Sequence, residues 1–258
     1  MRFFRWRNSK NQPKSPPPQE QPVDQDKGQA QDQIKAQAQD PVKAQPKAPD
    51  DRALAARIPP GQTLTRKWPV LHYSGVPIFT DLSKWRFQIF GEADNLASWT
   101  LEEFRALPQV TLTADFHCVT TWSKLDNTWQ GVLFRTVAEL AKVRPTARHA
   151  MIHAYDGYYT NVPLSWLMDS DVLFAFCHDG KPLTDEHGGP LRLVVPKLYA
   201  WKSAKWVGGV EFLQEDRRGY WEARGYHNRG EPFAEERYSY QERPEDSGDR
   251  RGAETKNG

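Results

Sequence analysis

Cysteine is scarce in this sequence: 258 residues contain two, Cys118 and Cys177. Two thiols build no disulfide framework, so the fold must rest on a hydrophobic core, and the count fits a reducing compartment. Long apolar runs are missing as well. None approaches the roughly 20 residues that a membrane-spanning helix requires. An excess of one charge is also missing, since 35 Lys and Arg against 33 Asp and Glu leave a net +2. That balance does not call for nucleic acid as a partner. The chain has no P-loop, no G-x-G-x-x-G and no G-x-S-x-G. The usual local signatures of nucleotide binding and of serine hydrolysis are therefore out.

Aromatic residues are absent from 11 to 51, where Gln, Pro, Lys, Asp and Ala dominate. Such a segment cannot bury enough surface to offset its ordering entropy. The reading is a disordered arm over 1–57, a folded domain over 58–241 and a flexible tail over 242–258. The domain is large enough for a real core. The start of the chain is basic and aromatic, with Phe3, Phe4 and Trp6 among arginines. No apolar stretch follows to make a secretory signal, so a cytoplasmic location is expected. Residues 1–7 are either a disordered basic end or a weak contact with a membrane surface or a partner.

Within 58–241 the pattern is mostly strand. Trp85, Phe87 and Ile89 alternate with polar residues up to Gly91. Further strand patterns cover 110–118, 150–155, 172–177, 191–195 and 206–213, and Gly208-Gly209 in the last predicts a bulge or a close backbone approach. Thr100 and Glu103 form a capping-box pattern whose helix should end near Pro108. Thr136 and Glu139 form a second, with Leu140 and Val143 on one side and Pro145 at the end. Short helices that do not alternate with the strands point to an α+β, mainly β domain rather than a doubly wound sheet.

Cys118 closes the 110–118 strand in DFHCVTTWS (115–123). A thiol there serves as nucleophile, metal ligand or packing. His117-Cys118 and Cys177-His178 do not read as structural zinc, because neighbours on a strand point to opposite faces. For the same reason His117 does not read as the base of a nucleophile. Cys177 sits in an apolar strand and reads as a small core residue. Trp122, Asp126 and Asn127 follow Cys118 in what reads as one loop, and could line a pocket there. Tyr155, Asp156 and Tyr199 are further candidates at strand ends. A second stretch places His187 and two glycines before Arg192, then Lys202, Ser203 and Lys205 between Trp201 and Trp206. Cations, a hydroxyl and loop N–H groups suit a phosphate or another anion. The alternative is a solvated basic loop with tryptophans in the core.

Together, DFHCVTTWS (115–123), GGPLRLVVP (188–196) and YAWKSAKW (199–206) resemble the molybdopterin-binding domain of the sulfite oxidase family. The likeness is greatest to its stand-alone bacterial type, which includes the catalytic subunit of a periplasmic methionine-sulfoxide reductase, and it runs from about 58 to 215. The resemblance implies the sulfite-oxidase-type fold and molybdopterin with one molybdenum as cofactor. It implies that Cys118 is the catalytic residue and the thiolate ligand of the metal, a soft donor suited to it. It also implies that His187, Arg192, Ser203, Ala204 and Lys205 hold the pterin and its phosphate. Lys202 is their neighbour, and His72 and Tyr73 match an earlier pterin contact.

The chain departs from the sulfite-oxidising pattern after the cysteine. Thr120, Thr121, Ser123 and Lys124 stand where those members place an arginine, and none occurs before Arg135. No haem domain is present, so a separate electron-transfer partner is implied. The expected activity is oxygen-atom transfer on a small-molecule substrate such as a sulfoxide, an N-oxide or a sulfite-like anion. The alternatives are a non-catalytic cofactor- or partner-binding protein tethered by its arm, and a metal-free thiol enzyme.

Overall fold

The structure, a computed structural model, describes residues 51–243. The expectations for 1–50 and 244–258, including any membrane contact of residues 1–7, lie outside the described residues.

Two sheets carry the body. One joins β1 (Thr63–Leu64), β5 (Trp122–Leu133), β8 (Leu173–His178) and β10 (Arg192–Val194), with β4 (Val110–Cys118) on β5 and β9 (Lys181–Pro182) on β8. The other runs β3 (Ser98–Thr100), β2 (Arg86–Gly91), β11 (Val207–Leu213), β6 (His149–Ala154) and β7 (Tyr159–Pro163). The helices are short: α1 (Asp51–Ala55), α2 (Leu101–Arg105), α3 (Phe134–Ala141) and α4 (Leu164–Leu167). The class is α+β, mainly β, as the strand-rich pattern implied.

The core follows from alternation. Trp85, Phe87 and Ile89 are buried, and Phe87 meets Phe104 at 4.7 Å and Phe174 at 5.0 Å between ring centroids. Such pairs add a little to the area they bury. β2 ends where expected: Gly91 has φ +85°, and a Cβ there would sit 2.1 Å from the Phe212 carbonyl oxygen. The 208–209 glycines meet both expectations. The β11–β6 register shifts between Val207 and Gly209, and a Cβ on Gly209 would lie 2.6 Å from the Gln88 carbonyl oxygen.

Thr100 caps α2 with a complete capping box involving Glu103. The second capping box does not form. α3 begins at Phe134, two residues before Thr136, and has no side-chain cap. Phe134, Val137, Ala138 and Ala141 are its buried residues, while Leu140 is exposed. Burial of Phe134 against Phe174 outweighs the local cap, so the helix starts where the apolar face starts.

The stretch after Cys118 is also corrected. It is no loop: β5 begins at Trp122 and runs 12 residues. The Asp126-Asn127 pair, read as a turn, is a bulge inside that strand. Ala114 faces Asn127 and Phe116 faces Lys124, so Asp115 alone opposes both Leu125 and Asp126. Asp126 takes φ +57°, which its short polar side chain tolerates. Asp115 accepts the Asp126 backbone N–H at 3.0 Å, and Arg57 donates to Asp115 and Asp126 at 2.6 Å each. Arg57 and α1 thus belong to ordered structure inside the stretch read as arm. At the other end, Glu242 accepts from Arg218 Nη1 at 2.9 Å and from the Asn228 N–H at 2.9 Å. No helix among the described residues is long and apolar enough to cross a membrane.

Candidate active site: a thiol and two cations in one cavity

β4 and β5 form a hairpin whose turn is Val119–Thr121, with Cys118 facing Trp122 across the pair. Thr121 has φ +69° and its N–H donates to the Cys118 carbonyl at 3.1 Å. A hairpin of this length with a left-handed last residue is a common geometry. Strand alternation then separates the two neighbours. The Cys118 side chain enters a cavity of about 290 Å³. The His117 ring lies on the opposite face, buried, with Nδ1 2.8 Å from Ser123 Oγ. Both cysteines are free thiols.

The cavity gathers much of what the sequence singled out. His72, Tyr73, Arg192, Ser203, Ala204 and Lys205 line it, and so do Trp122 and Asp156. Tyr73 donates its hydroxyl to the Asp156 carbonyl at 3.0 Å, and Ser74 Oγ donates to the Asp156 carboxylate at 2.9 Å. Loop 188–190 backs Lys205: a Cβ on Gly188, at φ +103°, would lie 2.9 Å from the Lys205 Cβ.

Other candidates lie elsewhere. The His187 ring sits 4.0 Å from that of Trp68, behind the lining, and its carbonyl accepts from Arg192 at 2.9 Å. Lys202 is not a loop cation. It is fully buried, 2.6 Å from Glu222 Oε1, and donates to the Asn161 carbonyl at 2.7 Å. Asp126 is exposed in its bulge and Asn127 is buried against Lys124 and His178. Tyr155 bonds the Arg86 backbone at 2.7 Å, and Tyr199 packs flat on Trp201. None of these six lines the cavity.

The electrostatics are uneven. Arg192 is fully buried, and its guanidinium donates only to the carbonyls of His187, Ser203 and Leu193. Three rings surround it: Phe116 at 5.1 Å, Trp68 at 5.3 Å and Trp129 at 5.6 Å. Among the described residues it has no carboxylate partner, and burial brings its pKa down to about 9. Lys205 donates to the Glu186 carbonyl at 2.7 Å, and burial, with Arg192 nearby, brings it to about 7. Asp156 and Glu186 act on Lys205 through space, whereas a buried arginine without a carboxylate partner is costly unless an anion joins it. The Cys118 thiol is pushed up by burial, opposed by the Thr120 hydroxyl 3.1 Å from the sulfur.

Several lining residues were not foreseen, three large aromatics among them. Trp68 comes from the irregular strap before β2, and Trp221 and Tyr226 come from the segment after β11. Arg237, further along that segment, donates to the Val119 carbonyl at 2.6 Å. For Trp221 and Tyr226 the sequence signal was the density of aromatics between 220 and 240, which shows no strand period.

A buried thiol and two cations around a ligand-sized cavity are chemically suited to an anionic cofactor that takes a thiolate ligand. The chain belongs to the family described as oxidoreductase molybdopterin binding domain, which matches residues 73–221. It is 44% identical over 186 residues to the uncharacterized oxidoreductase YuiH of Bacillus subtilis, covering 72% of this chain and 94% of that one. It is 29% identical to the putative protein-methionine-sulfoxide reductase subunit YedZ1 of Azospira oryzae, covering 66% of each. The sulfane dehydrogenase SoxCD of Paracoccus pantotrophus shares the fold. Its TM-score is 0.53 at 20% identity, over 73% of this chain and 58% of that one. The protein is a molybdopterin-dependent oxidoreductase with the sulfite-oxidase-type fold.

Proposed function

We propose that the chain catalyses oxygen-atom transfer to or from a small substrate, with Cys118 Sγ as the protein ligand of molybdenum. The observation that supports this most is the convergence of Cys118, Arg192 and Lys205 on one cavity. The residues fit the group. Arg192 and Lys205 offer two positive charges to a phosphate-bearing pterin, with Ser203 and Ala204 beside them. When bound, the cofactor supplies the two-electron redox chemistry.

The chain's own residues do the rest. Thr120 holds the sulfur's orientation through its hydroxyl. Gln62 donates to the Cys118 carbonyl at 3.1 Å and Arg237 to that of Val119, so the turn is pinned from two sides. Trp122, Trp201, Trp221 and Tyr226 give an aromatic wall that orients a substrate and excludes water. No arginine follows the cysteine on β5. Neutral sulfoxides and N-oxides therefore stand ahead of sulfite as substrates, in keeping with the methionine-sulfoxide name of one relative. Electrons are exchanged with a separate protein, and two free thiols fit the cytoplasm.

Elemental analysis of the purified protein tests this reading. Molybdenum near one atom per chain, lost in Cys118→Ser, is expected, with turnover on a sulfoxide and N-oxide panel using reduced viologen. A metal-free protein from a host that makes the cofactor overturns it. Stoichiometric metal without turnover favours a binding role.

A further inference from the structure

The segment after β11 carries aromatic rings from the cavity wall to solvent. Trp201 and Trp221 both line the cavity, and each lies close to Tyr226, at 5.3 and 5.2 Å between centroids. Tyr226 lines it too and pairs with Tyr238 through an isolated bridge, their rings 5.9 Å apart. Tyr238 stacks on Tyr240 at 5.6 Å and 17°. Exposure rises along the series: Tyr226 is half-buried, Tyr238 is 43% exposed and Tyr240 is 82% exposed.

Burial does not explain the outer pair. Tyr240 buries little against the body, yet the geometry of the pair is fixed. The 3₁₀ turn Ser239–Gln241 fixes it: Gln241 Oε1 accepts from the Arg237 and Tyr238 N–H groups at 3.0 and 2.8 Å. Exposed, ordered aromatics are the residues on which small transient interfaces concentrate their energy. What sets this pair apart is continuity with the cavity that holds Cys118.

We propose that the Tyr238–Tyr240 pair is the docking point of a one-electron carrier protein, and that Tyr226, Tyr238 and Tyr240 conduct electrons between it and the cavity. This rests on the oxidoreductase reading above. Each oxygen atom transferred displaces two electrons. A one-electron carrier gives or takes them singly in two encounters, and no bond in the rings is made or broken. The rings serve as a path and a contact surface, and the carrier's own redox group is the partner in each exchange.

The test uses the molybdenum-loaded protein, reduced with dithionite, and two oxidants. Ferricytochrome c is too large for the cavity, and ferricyanide is small. In Tyr238→Ala/Tyr240→Ala, the second-order rate with ferricytochrome c should fall about tenfold, and so should its calorimetric affinity for cofactor-free protein, the loss of one aromatic hot spot. The ferricyanide rate should hold. Unchanged cytochrome kinetics, equal slowing with both oxidants, or a parent that reduces ferricyanide but not cytochrome c overturns the port. A shift in sedimentation of the parent towards monomer in the variant overturns it as well, marking the face as a contact between copies. Metal content of the same samples separates the two readings. Protein without molybdenum defeats the function proposal and the port with it, while loaded protein with unaltered exchange defeats the port alone.

Discussion

Arg237 reaches 118 positions back along the chain to place Nη1 2.6 Å from the carbonyl oxygen of Val119, the residue after Cys118. Its guanidinium also lies 5.0 Å from the Tyr199 ring. The C-terminal segment is thereby a brace on the cysteine turn. Arg237→Gln should cost about 1–2 kcal/mol, a charge-assisted hydrogen bond lost near a part-buried carbonyl. Urea unfolding measures it. Alkylation of Cys118 in cofactor-free protein should become faster, and Arg237→Lys should restore part of the protection.

Lys202 and Glu222 form a fully buried pair at 2.6 Å, and Glu222 also accepts from Thr160 and from the Trp201 indole. Removing one partner leaves an uncompensated buried charge. Lys202→Met should destabilise by about 3–5 kcal/mol. Lys202→Met/Glu222→Gln should recover a substantial part, because the glutamine keeps the Thr160 and Trp201 bonds. A double variant no more stable than the single one contradicts this.

Among the described residues, Arg192 is a buried cation held only by carbonyls and rings. Replacing it with a volume-matched apolar residue removes a desolvation cost as well as hydrogen bonds. Arg192→Met should therefore leave the melting midpoint of cofactor-free protein no lower than that of the parent. The same variant should lose its molybdenum. Stability kept and cofactor lost is the signature of a residue retained for a ligand.

Lys205, brought to about 7 by burial and by Arg192, should make anion binding depend on pH. The charged form binds the anion, and the fraction charged falls as pH rises through 7. Sulfate keeps a constant charge in this range, so it serves as the probe. Its affinity for cofactor-free protein should fall from pH 6 to pH 8, by up to about tenfold for one pH unit above the pKa. Lys205→Arg should flatten the profile, since an arginine stays charged.

Much of the framework was legible from residues alone. The 110–118 strand is β4 residue for residue, because its apolar and polar positions alternate without interruption. The Thr100 cap was legible because its partners lie three residues apart. β5 was not, since its first half is polar and its Asp-Asn pair carries a genuine left-handed residue that a bulge uses as readily as a turn. Thr136 misled for the related reason that a cap is worth about 1 kcal/mol while burying Phe134 is worth more.

The sequence determined the chemistry available: one thiol at a strand end, a pair of cations around a glycine loop, and an alternation that turns His117 away from Cys118. Tertiary structure decided which charges are free. Lys202, Lys205 and Arg192 look alike in the sequence, yet a carboxylate 20 positions further on neutralises Lys202. The other two line the cavity with no carboxylate hydrogen-bonded to them among the described residues. That choice depends on desolvation and on partners brought from distant strands, and both exist only once the chain has folded.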